Sequence, residues 1–183
     1  DEGLRAAALD ALSNLLGDMH EPEQAFVKAL DAIRGPVDAT VARARLARRR
    51  LVQSVEGRER LVVARRESDL ALARLEPGRR VLPEVRDFLH EPWHHALTQA
   101  SLRHGASSRQ RAQVMDVAHA LLALDQVASS AQGAELARGV LALEPRLREV
   151  LLASGMEGGH ADEAIARLVR ALANPDHVRS AAL

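Results

Sequence analysis

The chain has 183 residues, a balanced charge of 25 Lys and Arg against 25 Asp and Glu, and no cysteine. This composition excludes a globally basic nucleic-acid binder, a disulfide scaffold, thiolate metal ligands and a cysteine nucleophile. Aromatic residues make up only 2% of the chain while Ala and Leu predominate, which favours helices over strands. We therefore expect an all-α protein, an irregular bundle of about six to eight helices around one very long helix.

Two short amphipathic helices are predicted before the long one. Leucines at three- and four-residue steps predict a helix over 2–17. A second helix is predicted over 22–34, and we expect it to end at Arg34-Gly35, before Pro36. Its apolar face is expected to lie in the core and consists of Phe26, Val27, Leu30 and Ile33.

The longest predicted helix covers 37–75. This segment contains no proline and a single glycine, Gly57, and its apolar residues stay on one stripe across that glycine. A continuous helix of this length would be about 60 Å long, more than the remaining helices can cover. The strongest break in the chain is Glu76-Pro77-Gly78. We therefore divide the chain into 1–76, with the long helix, and 77–183, a C-terminal bundle that we expect to form one compact unit with the first part.

The C-terminal bundle is predicted to have its core around the only tryptophan of the chain. One apolar face, on a single helix kinked at Pro92 or on two helices that meet there, holds the candidate core residues Phe88, Leu89, Trp93 and Leu97. A following helix is predicted to begin at an N-cap formed by Ser107-Ser108. The last helices are predicted over 133–153, in one or two pieces around Pro145, and over 161–173.

Residues 90–94 match the zinc-hydrolase motif H-E-x-x-H through His90, Glu91 and His94. In that motif two His one helical turn apart point at a single metal, beside a Glu that activates its water. Pro92 falls inside the motif, where it removes a backbone hydrogen bond and distorts the turn. We therefore favour surface or partly buried histidines and expect no metal, no cofactor and no catalytic residue. A zinc hydrolase remains the least favoured alternative.

Arginines are concentrated on the predicted long helix, where nine arginines and two acids lie from Arg43 to Arg66. One interpretation is a phosphate-binding helix for nucleic acid, an anionic membrane surface or a nucleotide such as cyclic di-GMP. The other is a solvated or protein-binding face, because the arginines scatter around the helix and no aromatic residues are interleaved for base stacking. Arg48 and Arg66 fall inside the apolar stripe, which predicts their burial against a partner carboxylate. The candidate anion- or partner-binding residues are Arg43, Arg45, Arg48, Arg49, Arg50 and Arg58.

The segment 81–107 carries a specific pattern, Val81-Leu82-Pro83, Val85, Phe88-Leu89, Trp93, Leu97, Gly105 and Ser107. Through this pattern the chain, over residues 20–175, resembles the C-terminal helical region of the DUF1631 family of long proteobacterial proteins. Some relatives carry a PilZ domain, so the resemblance implies a link to cyclic di-GMP signalling through domains outside this chain. The family has no established catalytic residues. The resemblance implies packing roles instead, with Gly105 as a helix C-cap and Ser107 as the next N-cap.

Protein–protein interaction is the function that we expect. The long helix leaves part of its apolar stripe bare in a monomer, and bare apolar stripes associate with partners. We expect a non-enzymatic regulatory or scaffolding module of a larger bacterial protein, located in the cytoplasm and without a membrane span. The candidate residues for self-association, or for docking onto another helical segment, are Val41, Leu51, Val55 and Val62.

Overall fold

The computed structural model describes residues 2–17, 22–75, 78–130, 133–174, 178 and 181–182. Nearly all of this backbone is helical, which confirms the all-α class. In the described part of the chain there are seven α-helices, one π-helix and one antiparallel pairing of two-residue strands. The α-helices are α1 (Glu2–Gly17), α2 (Pro22–Arg74), α3 (Pro83–Phe88), α4 (His94–His104), α5 (Arg109–Ser130), α6 (Ala134–Ala153) and α7 (Gly158–Ala173). The π-helix is Leu89–Trp93, and the strands are β1 (Arg80–Val81) and β2 (Ala181–Ala182).

The longest element is α2, with 53 residues. It continues through Gly35 and Pro36, so the predicted helix end at Arg34 is wrong. Pro36 has no N–H for the carbonyl of Ala32, but Ala32 is exposed and water can hydrogen-bond to that carbonyl. Gly35 has no Cβ, which relieves the clash that keeps most residues before proline out of the helical region. The helix also continues through Gly57, as predicted.

The backbone groups into two compact units, Asp1–Gly57 and Arg58–Leu183. The first unit holds α1 and the N-terminal part of α2. Among its described side chains, those that are buried all belong to alanines: Ala11, Ala25 and Ala29. Because a methyl group buries little apolar area, the hydrophobic effect stabilises this unit only weakly. The domain boundary expected after residue 76 stays a prediction.

The hydrophobic core lies in the second unit, where α5 packs against α4 and α6, and α6 packs against α7. The large side chains that are fully buried there include Trp93, Leu82, Leu89, Leu97, Leu121, Leu122 and Leu151.

At the surface, Arg148 of α6 forms ion pairs with Glu144 of the same helix and with Asp162 of α7. The hydrogen bond to Asp162, followed by the charge of that carboxylate, raises the pKa of Arg148. This arginine ties α6 to α7 through its contact with Asp162.

The chain is helical from Pro83 to His104, because α3, the π-helix and α4 follow one another directly. The irregularity expected at Pro92 takes the form of the π-helix, whose wider hydrogen-bond spacing accommodates a residue without an N–H. Trp93 ends the π-helix and is 0% exposed. Its indole Nε1 donates a hydrogen bond to the backbone carbonyl oxygen of Val114 at 2.7 Å, which fixes the π-helix against α5.

The turn between α4 and α5 is defined by one glycine and one serine. Gly105 has a φ of 91° and lies at the C-cap of α4, the role that the resemblance implied. Of the two serines predicted to form the N-cap of α5, it is Ser108 that does so, and not Ser107, which the resemblance implied. The hydroxyl oxygen of Ser108 accepts a hydrogen bond from the backbone N–H of Arg111 at 3.2 Å, and α5 begins at Arg109.

Candidate interaction surface

Large apolar side chains lie exposed on α2 within the first unit. Four of them share one side of the helix, an arc of about 100° when successive residues are rotated by 100°. We call these residues the α2 apolar face: Val41, Leu51, Val52 and Val55. Their exposed fractions are 41%, 66%, 47% and 46%. Side chains of this kind gain free energy when a partner removes them from water.

The rest of the first unit adds further exposed apolar surface. On α1 and at the start of α2, six large side chains are each more than half exposed: Leu9, Leu12, Leu16, Phe26, Val27 and Leu30. The expectation that Phe26, Val27 and Leu30 form a core face is therefore wrong for the first unit. Their periodicity correctly indicates an amphipathic helix, but periodicity does not reveal whether a partner element covers the face. These residues are the part of the candidate surface that sequence reasoning missed.

Arginines lie on several sides of the same part of α2: at 100° per residue Arg48 falls within the α2 apolar face, whereas Arg43 and Arg50 fall on the opposite side of the helix. In the first unit the candidate residues are all exposed: Arg43, Arg45, Arg48, Arg49 and Arg50. The guanidinium of Arg43 donates to the carbonyl oxygen of Ala39 and to Oγ1 of Thr40, both at 3.3 Å, so it folds back along its own helix.

Two arginines were predicted to be buried. Arg48 lies in the first unit and Arg66 in the second, and both are exposed, so the prediction of their burial against a carboxylate is wrong. Their position in the apolar stripe predicted burial, but the stripe that contains them is itself exposed. A guanidinium in an exposed stripe keeps its hydration and needs no buried counter-ion.

The second unit holds the remaining candidate residues of α2. Val62 is exposed, and so is Arg58. The C-terminal end of the helix differs, because Ala64, Ser68 and Ala71 are buried there. The hydroxyls of Ser68 and of Thr98 in α4 lie 3.0 Å apart, so this part of α2 is held by polar contacts as well.

The H-E-x-x-H match does not bring its side chains together around a metal. His90 and Glu91 are exposed on the π-helix, whereas Nε2 of His94 lies 2.8 Å from Oδ1 of Asp69 in α2. In the part of the chain that the structure describes, no group of three His, Asp or Glu side chains could hold a metal ion. His94 thus joins α4 to the part of α2 that belongs to the second unit. The neighbouring candidate core residues are buried: Phe88, Leu89, Trp93 and Leu97.

These features define an all-α helical module, with a tryptophan-centred core in the second unit and a part of α2 with exposed apolar and arginine side chains in the first. A family model described as protein of unknown function (DUF1631), third domain, matches residues 54–169. That match covers more than half of the chain, so the chain belongs to the DUF1631 family, which confirms the resemblance predicted from its sequence pattern. No match to a curated protein or to a solved structure was found. None of the described helices combines the length and the hydropathy that crossing a bilayer requires.

Proposed function

We propose that this chain is a non-enzymatic, regulatory or scaffolding module that acts by protein–protein interaction, and that it associates with a second copy through its first unit. The proposal rests on one observation: among the side chains that the structure describes, the first unit exposes large apolar ones and buries only small ones. Its described buried side chains are alanines, while Leu, Val and Phe side chains lie exposed on both of its helices. Exposure of this many large apolar side chains is typical of surfaces that bind a partner.

The distribution of charge favours a second copy as the partner. Over residues 1–38 the chain has eight acidic and three basic residues, and over 39–57 it has one acidic and five basic residues. Two copies paired in parallel would place the basic segments side by side, which costs electrostatic free energy. Antiparallel pairing brings the acidic segment of each copy next to the basic segment of the other. The arginines would then determine the orientation of the pair more than its affinity.

The test is light scattering of the wild type and a double variant, Leu51→Gln/Val55→Gln, over a wide range of protein concentration. Glutamine keeps the helix propensity and the net charge and removes the apolar side chains. We expect the mass of the wild type to rise from 19.8 kDa to twice that value as concentration increases. The double variant should remain a monomer at the same concentrations.

A matched control is available on the opposite side of the same helix. Leu46 is 50% exposed but lies outside the α2 apolar face, and Ala42 is its neighbour on that side. We expect Leu46→Gln/Ala42→Gln to associate like the wild type. A wild type that stays monomeric at the highest concentration, or a control that dissociates as readily as the double variant, would refute the proposal.

Anion binding by the arginines of α2 is the second candidate function. It is favoured by the exposure of five arginines within eight residues, Arg43–Arg50, because exposed guanidinium groups are accessible to phosphates. Titration with single-stranded DNA and with cyclic di-GMP at two salt concentrations tests it. We expect binding that weakens with salt and is reduced in Arg48→Gln/Arg49→Gln. Binding that does not change between the variant and the wild type would exclude these residues.

A further inference from the structure

The second unit contains a groove between α4, α5 and α6 with a volume of about 480 Å³. Its apolar part includes the buried side chains of Ala96, Val117 and Val150, one from each helix. Polar side chains complete the lining, among them Arg103, Gln113 and Arg146. Both the volume and the combination of apolar lining with a few polar groups are typical of sites for small molecules.

The walls of this groove are held in place by hydrogen bonds between helices. Nε1 of Trp93, at the end of the π-helix that leads into α4, donates to the carbonyl oxygen of Val114, a groove residue of α5. Next to the groove, Nε of Arg111 in α5 donates to Oγ of Ser101 in α4 at 3.1 Å. Since rotation of either helix would break these bonds, the groove is formed before any ligand binds. Because the side chains and helices of a preformed site need little ordering, little of the binding free energy is lost when a ligand enters.

The charges of the groove favour an anion. Arg103 of α4 and Arg146 of α6 contribute two positive charges from two different helices, and Glu149 contributes one negative charge. A guanidinium binds carboxylate or phosphate oxygens through paired hydrogen bonds. Another groove, of about 570 Å³ between α5, α6 and α7, differs, because the described residues that line it are apolar or glycine. Among the residues that the structure describes, its lining therefore offers no charged side chain to orient an ionic ligand.

We infer that the groove between α4, α5 and α6 is a binding site for a small amphipathic anion, a molecule with an apolar body and one carboxylate or phosphate group. The apolar body lies against Ala96, Val117 and Val150. The anionic group is bound by Arg103 and Arg146. This site belongs to the second unit and does not depend on the association proposed for the first.

Decanoate is the probe, and the chain itself supplies a spectroscopic readout. Trp93 is the only tryptophan and the chain has no tyrosine, so its fluorescence reports on the hydrogen bond to Val114 at the wall of the groove. Calorimetry measures the stoichiometry in parallel. We expect saturable binding of one decanoate per chain with a change in Trp93 emission. Arg103→Gln and Arg146→Gln should each weaken binding by about tenfold or more, the factor expected for losing a charge-assisted hydrogen bond.

Three comparisons make the result decisive. Arg138→Gln removes an exposed arginine of α6 that is not part of the groove lining, so it should bind decanoate like the wild type. Decanol has the same chain without a charge, and we expect it to bind more weakly and to be unaffected by Arg146→Gln. Decyl phosphate tests whether the bound group is a phosphate and not a carboxylate. If decyl phosphate binds more tightly than decanoate, the site is assigned to phosphates. Absence of saturable binding by either anion, equal affinity for decanoate and decanol, or an equal loss in Arg138→Gln would overturn the inference.

Discussion

Replacing Trp93 tests whether the core of the second unit is built as described. Trp93 is 0% exposed and its indole N–H donates to the Val114 carbonyl, so Trp93→Ala removes both apolar contacts and a hydrogen bond. Truncation of a buried tryptophan to alanine lowers the free energy of unfolding by about 3–5 kcal/mol. Trp93→Phe keeps one aromatic ring and loses the donor, for which we expect a smaller loss of about 1–2 kcal/mol.

Urea unfolding followed by far-ultraviolet circular dichroism measures both changes, because these variants no longer contain a tryptophan for fluorescence. A lower midpoint with an unchanged slope reports a loss of stability in the folded state. The matched control is Leu141→Ala, since Leu141 is 69% exposed and its truncation should change stability by at most about 0.5 kcal/mol. Equal midpoints for Trp93→Ala and Leu141→Ala would refute the reasoning. Trp93 would then be accessible, and we would interpret it as an anchor for a partner.

Two further predictions concern surface positions. His90→Ala should leave stability unchanged and His94→Ala should cost at most about 1 kcal/mol, because the contact of His94 with Asp69 lies near the surface. Stoichiometric zinc in the purified wild type that is lost in both variants would contradict our interpretation of this segment. Ser108→Ala should cost about 0.5–2 kcal/mol through the lost N-cap, whereas Ser107→Ala should change stability by no more than about 0.5 kcal/mol. Similar losses in the two serine variants would show that the cap is wrongly assigned.

The fold class and the core could be predicted because they depend on local pattern. An apolar face repeated at helical spacing predicts both a helix and its buried side, and the segment from Phe88 to Leu97 has such a face. The same rule failed at Phe26 and Leu30, where the helix is amphipathic but the face is exposed. Amphipathicity indicates that a helix has a side suited to burial. It does not indicate which molecule supplies the other half of the contact.

Helix ends were harder to predict than helix existence, for reasons visible at three prolines. Pro36 and Pro145 both lie inside α-helices, and Pro92 lies inside the π-helix. A proline removes one hydrogen bond and introduces one clash, and that cost is tolerable where the neighbouring backbone is solvated or the helix widens locally. At Pro145 the carbonyl affected belongs to Leu141, an exposed residue. A sequence records the proline but not the solvation of the carbonyl four residues before it.

The candidate sites differ in how far a sequence can indicate them. The arginines of α2 are close together along the chain, so the sequence alone indicates them as a candidate site. A high density of arginines is, however, also typical of an ordinary solvated helix face. Arg103 and Arg146 have no such local signal, and they line one groove because α4, α5 and α6 pack against one another. Two guanidinium groups around one apolar surface can bind a single anion, whereas arginines spread around a helix cannot all reach the same one. Convergence in space is therefore the stronger argument for a ligand site, and it depends on the packing of the helices.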